Sequence, residues 1–265
     1  MISFLEKIGR GPLSFIRQFK EVLALFAQTL YWVFLGPFKK KAVSKKNLFA
    51  QTVFSGLDSL MIVFFVDFFI GIVLAMQSAY QLEELGATIY VAALVGVSMT
   101  REIGPVLTSL VIAGRVGAAI TAELATMKVT EQVEALQTIS LNPVRYLVVP
   151  RFLALLFMLP CLTIVGNFMG IIGGYLVGVF NLGLSSGLYI DTTIQFLEVK
   201  DIMTGLFKTA IFSMIISMIA CYQGLSTDGG AEGVGRSTTR SVVLSFILII
   251  VADAILTAVF YFANT

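Results

Sequence analysis

The sequence predicts an all-α integral membrane protein. It has an N-terminal interfacial amphipathic helix, then five transmembrane helices, with one short cytoplasmic helix between the second and third spans. Three observations carry that prediction. Of the 265 residues, 57% are hydrophobic and 13% are charged, where a soluble domain carries roughly 25% charged residues. Mean hydropathy is +0.92. The apolar runs match the roughly 20 residues that one helical crossing of a bilayer requires.

The elements follow in chain order. Residues Met1 to Lys20 mix Glu6, Lys7, Arg10, Arg17 and Lys20 through the sequence, unlike a cleaved signal peptide. In Leu13 to Leu35, the residues Phe15, Phe19, Val22, Leu23 and Phe26 recur at helical spacing between polar neighbours. Gly36-Pro37 ends this segment, and Lys39, Lys40, Lys41, Lys45 and Lys46 follow. An interfacial helix with lysines at anionic headgroups fits the pattern; a first transmembrane crossing is the rival. Residues 1–50 form this N-terminal part, and 51–265 the five-span region of a single domain. The spans are Leu57 to Ala79, Ile89 to Ala122, Phe152 to Phe180, Ile202 to Tyr222 and Ser241 to Phe262. Between them lie the short link Gln81 to Gly86, the mixed segment Glu123 to Arg151 and the polar connection Asn181 to Asp201, with room for a short helix. The last is the Gly-rich loop Gln223 to Arg240, where the glycines from Gly229 to Gly235 read as flexible.

Charge distribution orients the chain. Lys7 to Lys46, Lys128, Arg145, Arg151, Arg236 and Arg240 fall on one side, while Glu83, Glu84, Asp191, Glu198 and Asp201 face the other with only Lys200. The positive-inside rule then places the N-terminus in the cytoplasm and the C-terminus outside. The net charge of +2 implies no nucleic-acid partner. The absence of histidine removes imidazole as ligand or base. Cys161 and Cys221 lie in apolar stretches and read as small hydrophobes. No G-x-x-x-x-G-K-[ST] run exists, so the chain has no P-loop for nucleotide phosphates. No metal site and no catalytic arrangement of Ser, Cys or carboxylates is expected.

Four features invite a role. Arg101, Glu102, Lys208 and Asp253 sit inside spans, where a charge costs roughly 2.5–3.5 kcal/mol on insertion scales. Arg101 and Glu102 are adjacent and cannot both serve one neighbour; Lys208 and Asp253 supply complementary charges. A polar patch for a charged headgroup and an ion-pair network that only fixes packing both fit. Pro105, after Gly104, either breaks the helix and frees carbonyls towards a cavity or merely kinks it. Gly166, Gly170, Gly174 and Gly178 put one face of span three in close contact with another helix. Finally, Thr130 is placed to cap a short helix beginning Glu131-Gln132, with Val133, Leu136 and Ile139 on a narrow apolar stripe. This helix is too short to span and suits docking into a groove on a cytosolic partner, or resting on the membrane surface.

These residues carry a family resemblance. The stretches Arg101-Glu102-Ile103-Gly104-Pro105, Ala113-Gly114-Arg115-Val116-Gly117, Thr121-Ala122-Glu123-Leu124, Thr130-Glu131-Gln132-Val133-Glu134-Ala135-Leu136 and Asn142-Pro143-Val144-Arg145-Tyr146 resemble MlaE-type permeases, over nearly the whole chain. The resemblance implies the membrane subunit of an ABC transporter moving phospholipids between the inner and outer membranes of Gram-negative bacteria, and so maintaining outer-membrane lipid asymmetry. It implies a homodimer in the inner membrane, with cytosolic ATPases that bind ATP and Mg. It also implies a STAS-domain protein and a hexameric periplasmic MCE-domain protein, with no cofactor in this chain. It makes residues about 130–139 a coupling helix, with Thr130, Glu131, Gln132, Val133 and Leu136 facing the ATPase. It matches Arg101, Glu102, Lys208 and Asp253 to the family's intramembrane charges, and Leu74, Gln77, Ser78 and Gln81 to pocket-lining positions. Residues alone allow any amphiphile or ion, a non-transporting scaffold, or an ion-driven secondary carrier.

Overall fold

The computed structural model describes residues 2–36 and 44–262, with only the backbone described for 2–17. The run Lys39 to Lys41 and Pro37 lie outside the described residues. Every regular element among the described residues is helical. Five segments are long and apolar enough to cross a membrane: Lys45–Glu83, Tyr90–Val129, Val144–Phe180, Val199–Leu225 and Gly230–Phe262.

Helix α1 (Ile2–Leu35) precedes them. One face of its second half, Val22, Leu25, Phe26, Leu30 and Val33, packs against the main core, while Phe19, Leu23 and Phe34 stay exposed. Phe26 meets the Phe152 ring edge-on at 6.1 Å, and the Arg145 guanidinium lies 5.6 Å over the Trp32 ring.

The first span is made of α2 (Lys45–Ser55), a 3-10 turn at Leu57–Ser59 and α3 (Leu60–Glu83). The second contains α4 (Tyr90–Ser98), α5 (Gly104–Ile112) and α6 (Ala118–Val129), joined by π-helical turns at Met99–Ile103 and Ala113–Gly117. Pro105 therefore does not break the chain. It sits in the first turn of α5, where a missing N–H is tolerated, and the π-turn absorbs the mismatch. The span runs on to Val129, past the expected end at Ala122. Hydropathy marks where the apolar side chains stop, but local N–H to C=O bonds carry the helix further.

The short helix α7 (Gln132–Thr138) follows. A third π-turn, Val144–Val148, leads into α8 (Val149–Phe180), so the third span also begins earlier than Phe152. Helix α9 (Ser186–Phe196) is the short helix expected in the polar connection. The fourth span is α10 (Val199–Leu225) and the fifth is α11 (Gly230–Phe262). The Gly-rich stretch is thus not a loop throughout. Gly229 and Gly230 take positive φ, and from Gly230 onwards the residues form the first turns of α11.

The main core gathers Ile112, Ile120, Phe152, Leu155, Phe212 and Ile216, and a smaller core gathers Ala75, Val91, Val95, Met99 and Val177. Several buried hydroxyls bond within their own helices: Thr163 donates to the Leu159 carbonyl at 3.0 Å and Ser213 to that of Ala210 at 2.7 Å. Such bonding matters in hydrocarbon, where no water can replace it. The outer faces of α3 and α11 present Phe65, Phe69 and Val73, and Ile250, Ile255 and Val259, a surface suited to lipid tails or another apolar helix.

The glycine stripe packs α8 tightly, as its spacing predicts. A side chain at Gly71 would strike the Gly170 carbonyl, one at Gly170 would strike Met99, and one at Gly173 the Phe68 carbonyl. Gly174 and Gly178 make room for the Tyr189 ring of α9. Gly166 lies against the Asp67 carboxylate of α3. Asp67 is fully buried and accepts a 3.0 Å bond from the Thr108 hydroxyl of α5, its other oxygen having no hydrogen-bond partner among the described residues. The sequence shows Asp67 inside the first span, yet nothing in spacing ties it to Thr108. Thr108→Val should cost about 1–3 kcal/mol by leaving a second carboxylate oxygen unbonded. Thermal melting in detergent against the parent chain measures it.

Candidate functional site

Three spans converge on one charged cluster. The π-turn Met99–Ile103 carries Arg101 and Glu102, α10 carries Lys208, and α11 carries Asp253 and Thr257. Lys208 lies at the centre and is 1% exposed. Its ammonium donates to a Glu102 carboxylate oxygen and to Thr257 Oγ1 at 2.7 Å, and forms an ion pair with Asp253 Oδ1 at 2.9 Å. Thr257 in turn donates towards both Glu102 oxygens at 3.3 Å.

Arg101 serves a different partner, as adjacency on a helix requires. Its Nε lies 3.5 Å from Asp201 Oδ1 in the first turn of α10. Asp201 also closes a reciprocal capping box with Glu198. The guanidinium stays 44% exposed, whereas Asp201 is 12% exposed at the side chain. Together the cluster sets two cations against three carboxylates. A polar cavity of about 150 Å³ opens beside it, lined by Arg101, Glu102, Glu198, Lys200, Asp201, Thr204, Lys208, Thr257 and Phe260.

The structure thus brings together Arg101, Glu102, Lys208 and Asp253. It does not add the other four candidates to that cavity's walls. On α3, Leu74 packs half-buried against the smaller core, Ser78 is buried, and only Gln77 and Gln81 are exposed. Sequence reasoning also missed two members. Asp201 reads as part of the polar connection rather than as an N-terminal cap, and a neutral Thr257 gives no signal in an apolar run. Its place one turn after Asp253 on the same helix face is the only hint.

The short helix needs correction. Thr130 does not cap it: Thr130 ends α6, and its hydroxyl donates back to the Thr126 carbonyl at 2.8 Å. Glu131 holds the cap position in the left-handed region (φ 58°), and the helix proper is Gln132–Thr138. Val133 is buried in the main core and Leu136 packs half-buried against it, because a two-turn helix must bury its stripe on its own chain to persist. The outward surface is instead Glu131, Gln132, Ala135, Gln137, Thr138 and the 65% exposed Ile139. Lys128 of α6 holds the Glu134 carboxylate of α7. The hydrogen bond to Lys128 lowers the Glu134 pKa, so this tie is present above the ordinary glutamate value and is lost as pH falls through the lowered one.

Two more arginines anchor this end. Arg151 is 4% exposed, pairs with Glu123 of α6 at 2.7 Å and donates to the Leu147 carbonyl at 2.6 Å. Arg115, in the second π-turn, donates to Phe54 O at 3.2 Å and to Ser59 Oγ, with its guanidinium 5.6 Å over the Phe54 ring. No group of three or more metal-ligating side chains occurs among the described residues.

A bundle of five apolar spans with a paired charge cluster sunk among three of them defines a multi-pass membrane protein. The sequence profile described as Permease MlaE matches residues 48–259. The chain belongs to this permease family. It is 41% identical over 261 residues to a probable ABC transporter permease protein of Rickettsia typhi, covering 98% of this chain and 99% of that one. It is 47% identical over 211 residues to the corresponding protein of Rickettsia prowazekii, covering 80% and 82%. It is also 34% identical over 222 residues to the chloroplastic protein Trigalactosyldiacylglycerol 1 of Arabidopsis thaliana, covering 84% of this chain and 63% of that one. The chain is a permease of the ABC-transporter type.

Proposed function

We propose that this chain is the membrane subunit of an ABC transporter that moves phospholipids between the inner and outer membranes of a bacterium. The observation that carries the reading is a buried ammonium held between two carboxylates at the wall of a polar cavity, inside otherwise apolar spans. A purely structural ion pair has no need of the half-exposed Arg101 beside it. Arg101 offers the fork geometry that suits a lipid phosphate, and the surplus carboxylate suits a headgroup amine. The apolar flanks of the spans accept the acyl chains. A relative whose printed name is that of a glycolipid, trigalactosyldiacylglycerol, is in keeping with a lipid cargo.

ATP and Mg are bound by a separate cytosolic ATPase, since this chain has no P-loop. Helix α7 presses its outer surface into that subunit, with Gln132 and Ile139 at the contact. The working unit contains two copies of this chain, a STAS-domain protein and a hexamer of periplasmic MCE-domain subunits. It sits in the inner membrane with the N-terminus cytoplasmic and the C-terminus periplasmic. Residues 1–50 form the interfacial part of one permease domain.

Two measurements test this. Affinity purification of the tagged chain from its host should recover a P-loop ATPase and an MCE-domain protein in stoichiometric amounts; purification of the chain alone would overturn the transporter reading. Ile139→Asp should lower ATPase recovery at least several-fold while leaving the chain's melting unchanged, because Ile139 touches no core. Undiminished recovery would remove α7 from the contact.

A further inference from the structure

A second cavity lies apart from the charged cluster. It is an apolar groove of about 430 Å³ between α1, α10 and α11, within the roughly 300–1,000 Å³ of ligand sites. Phe19, Val22 and Phe26 form one wall, Met214, Met218 and Ile219 the second, and Ile247, Val251 and Ile255 the third. Its long axis follows the helices, because Leu244 to Ile255 spans eleven residues, about 16 Å of α-helix.

The groove is polar at one end only. There Gln18, Tyr222 and Gln223 form the rim. Arg240 of α11 donates to Gln18 Oε1 at 2.8 Å, and Tyr222 donates to Glu21 at 2.7 Å. Arg240 and Arg236 are exposed and stand one and two turns before Leu244 on the α11 face that enters the groove. The face therefore reads, from its rim inwards, two guanidiniums and then an unbroken apolar strip. The Glu21 carboxylate at the rim is already engaged by Tyr222. The Arg240 hydrogen bond at the rim goes to the half-buried neutral amide of Gln18, which a phosphate would readily replace.

We propose that this groove binds one phospholipid of the leaflet at the rim, with an acyl chain along α10 and α11 and its phosphate on Arg240 and Arg236. A basic head above an apolar trough matches such a molecule in charge and in shape. The site is distinct from the cavity beside Lys208, though its deep end reaches Ala252 and so adjoins Asp253 on α11. It rests on the lipid-transport reading only in its purpose, as a place where cargo waits before the charged cluster.

The test uses the chain purified with whatever subunits accompany it, in nanodiscs containing phosphatidylglycerol with a photoactivatable acyl chain. Cross-linked peptides are mapped by mass spectrometry. Labelling should concentrate on Met214 to Ile219 and Ile247 to Ile255, and Ile219→Trp with Ile247→Trp, which fill the groove, should lower it at least fivefold. The pair R236Q and R240Q should lower it severalfold at low salt. Uniform labelling of all outward faces, unchanged by the tryptophans, would overturn the site. So would protein cross-links from position 219 showing another chain's helix in the groove. Because the readout is occupancy, a labelled groove in a complex that moves no lipid would sink the transport reading alone.

Discussion

Lys208→Met is expected to be the most damaging single change in the charged cluster, lowering the melting temperature on the order of 10 °C and abolishing lipid transfer. The ammonium is 1% exposed and holds Glu102, Asp253 and Thr257 together. Its removal leaves two carboxylates facing each other in a poorly solvated site. Breaking one partner out of a buried ion pair costs about 3–5 kcal/mol, and each kcal/mol moves the melting point of a chain this size by about 2–4 °C. The physical cause can be separated from the functional one. Replacing the whole group, as Glu102→Gln with Lys208→Met and Asp253→Asn, removes the unpaired charges and should restore most of the melting temperature. Lipid transfer by the reconstituted complex should stay lost in that triple variant. If it returns, the cluster only holds helices together, and if Lys208→Met melts and transfers normally, the ion-pair geometry itself is wrong.

The second large effect is expected at the contact of α3 with α8. Gly71→Leu should prevent recovery of folded protein, and Gly71→Ala should already cost on the order of 1–3 kcal/mol as overpacking. The obstacle at Gly71 is the Gly170 carbonyl, which is backbone and cannot rotate away as a side chain can. The two helices must separate or slide, and the Asp67 to Thr108 bond and the Met99 contact would be disturbed with them. Gly235→Ala provides the internal control. Nothing lies within 4 Å of a side chain there, so alanine should be neutral or gain about 0.5–1 kcal/mol from better helix propensity. Size-exclusion profiles and melting curves of the three variants decide it, and a Gly71→Ala protein as stable as the parent would refute the close approach.

What the sequence disclosed follows from which signals survive without neighbours. The five spans are legible because an apolar run is a property of the run itself. The glycine stripe of span three is legible for the same reason: a four-residue repeat of the smallest residue fixes a face whatever packs on it. Lys208 and Asp253 stand out because a charge in an apolar run must find a partner, and few exist. Thr257 and Asp201 were invisible. A hydroxyl raises no cost that demands a partner, and Asp201 sits where acids are ordinary, at a helix start. The apolar stripe on α7 is legible in the sequence, but the core that covers Val133 and Leu136 is not, since periodicity identifies a face and not what packs on it. Thr130 has the right residue type for a cap, yet the left-handed turn that reverses the chain falls at Glu131, one residue later than composition suggests.

The π-turns at Met99–Ile103 and Ala113–Gly117 have a consequence for how the second span can change over time. A π-turn accommodates roughly one residue more than the α-helical winding would use at that point. Each therefore acts as a phase offset, and everything beyond it is turned about 100° from where an uninterrupted α-helix would leave it. Arg101 and Arg115 lie inside the two offsets, and α6, with Thr121 and Glu123, lies beyond both. A single-residue deletion within either turn should therefore heal it into plain α-helix and leave Thr121 on Ser241 and Glu123 on Arg151, because the residue removed is the one that α-helical winding does not use. These ten residues are thus expected to tolerate the loss of one residue from each turn, a change of length that a plain α-helical stretch would pass on to every contact beyond it as a rotation of about 100°.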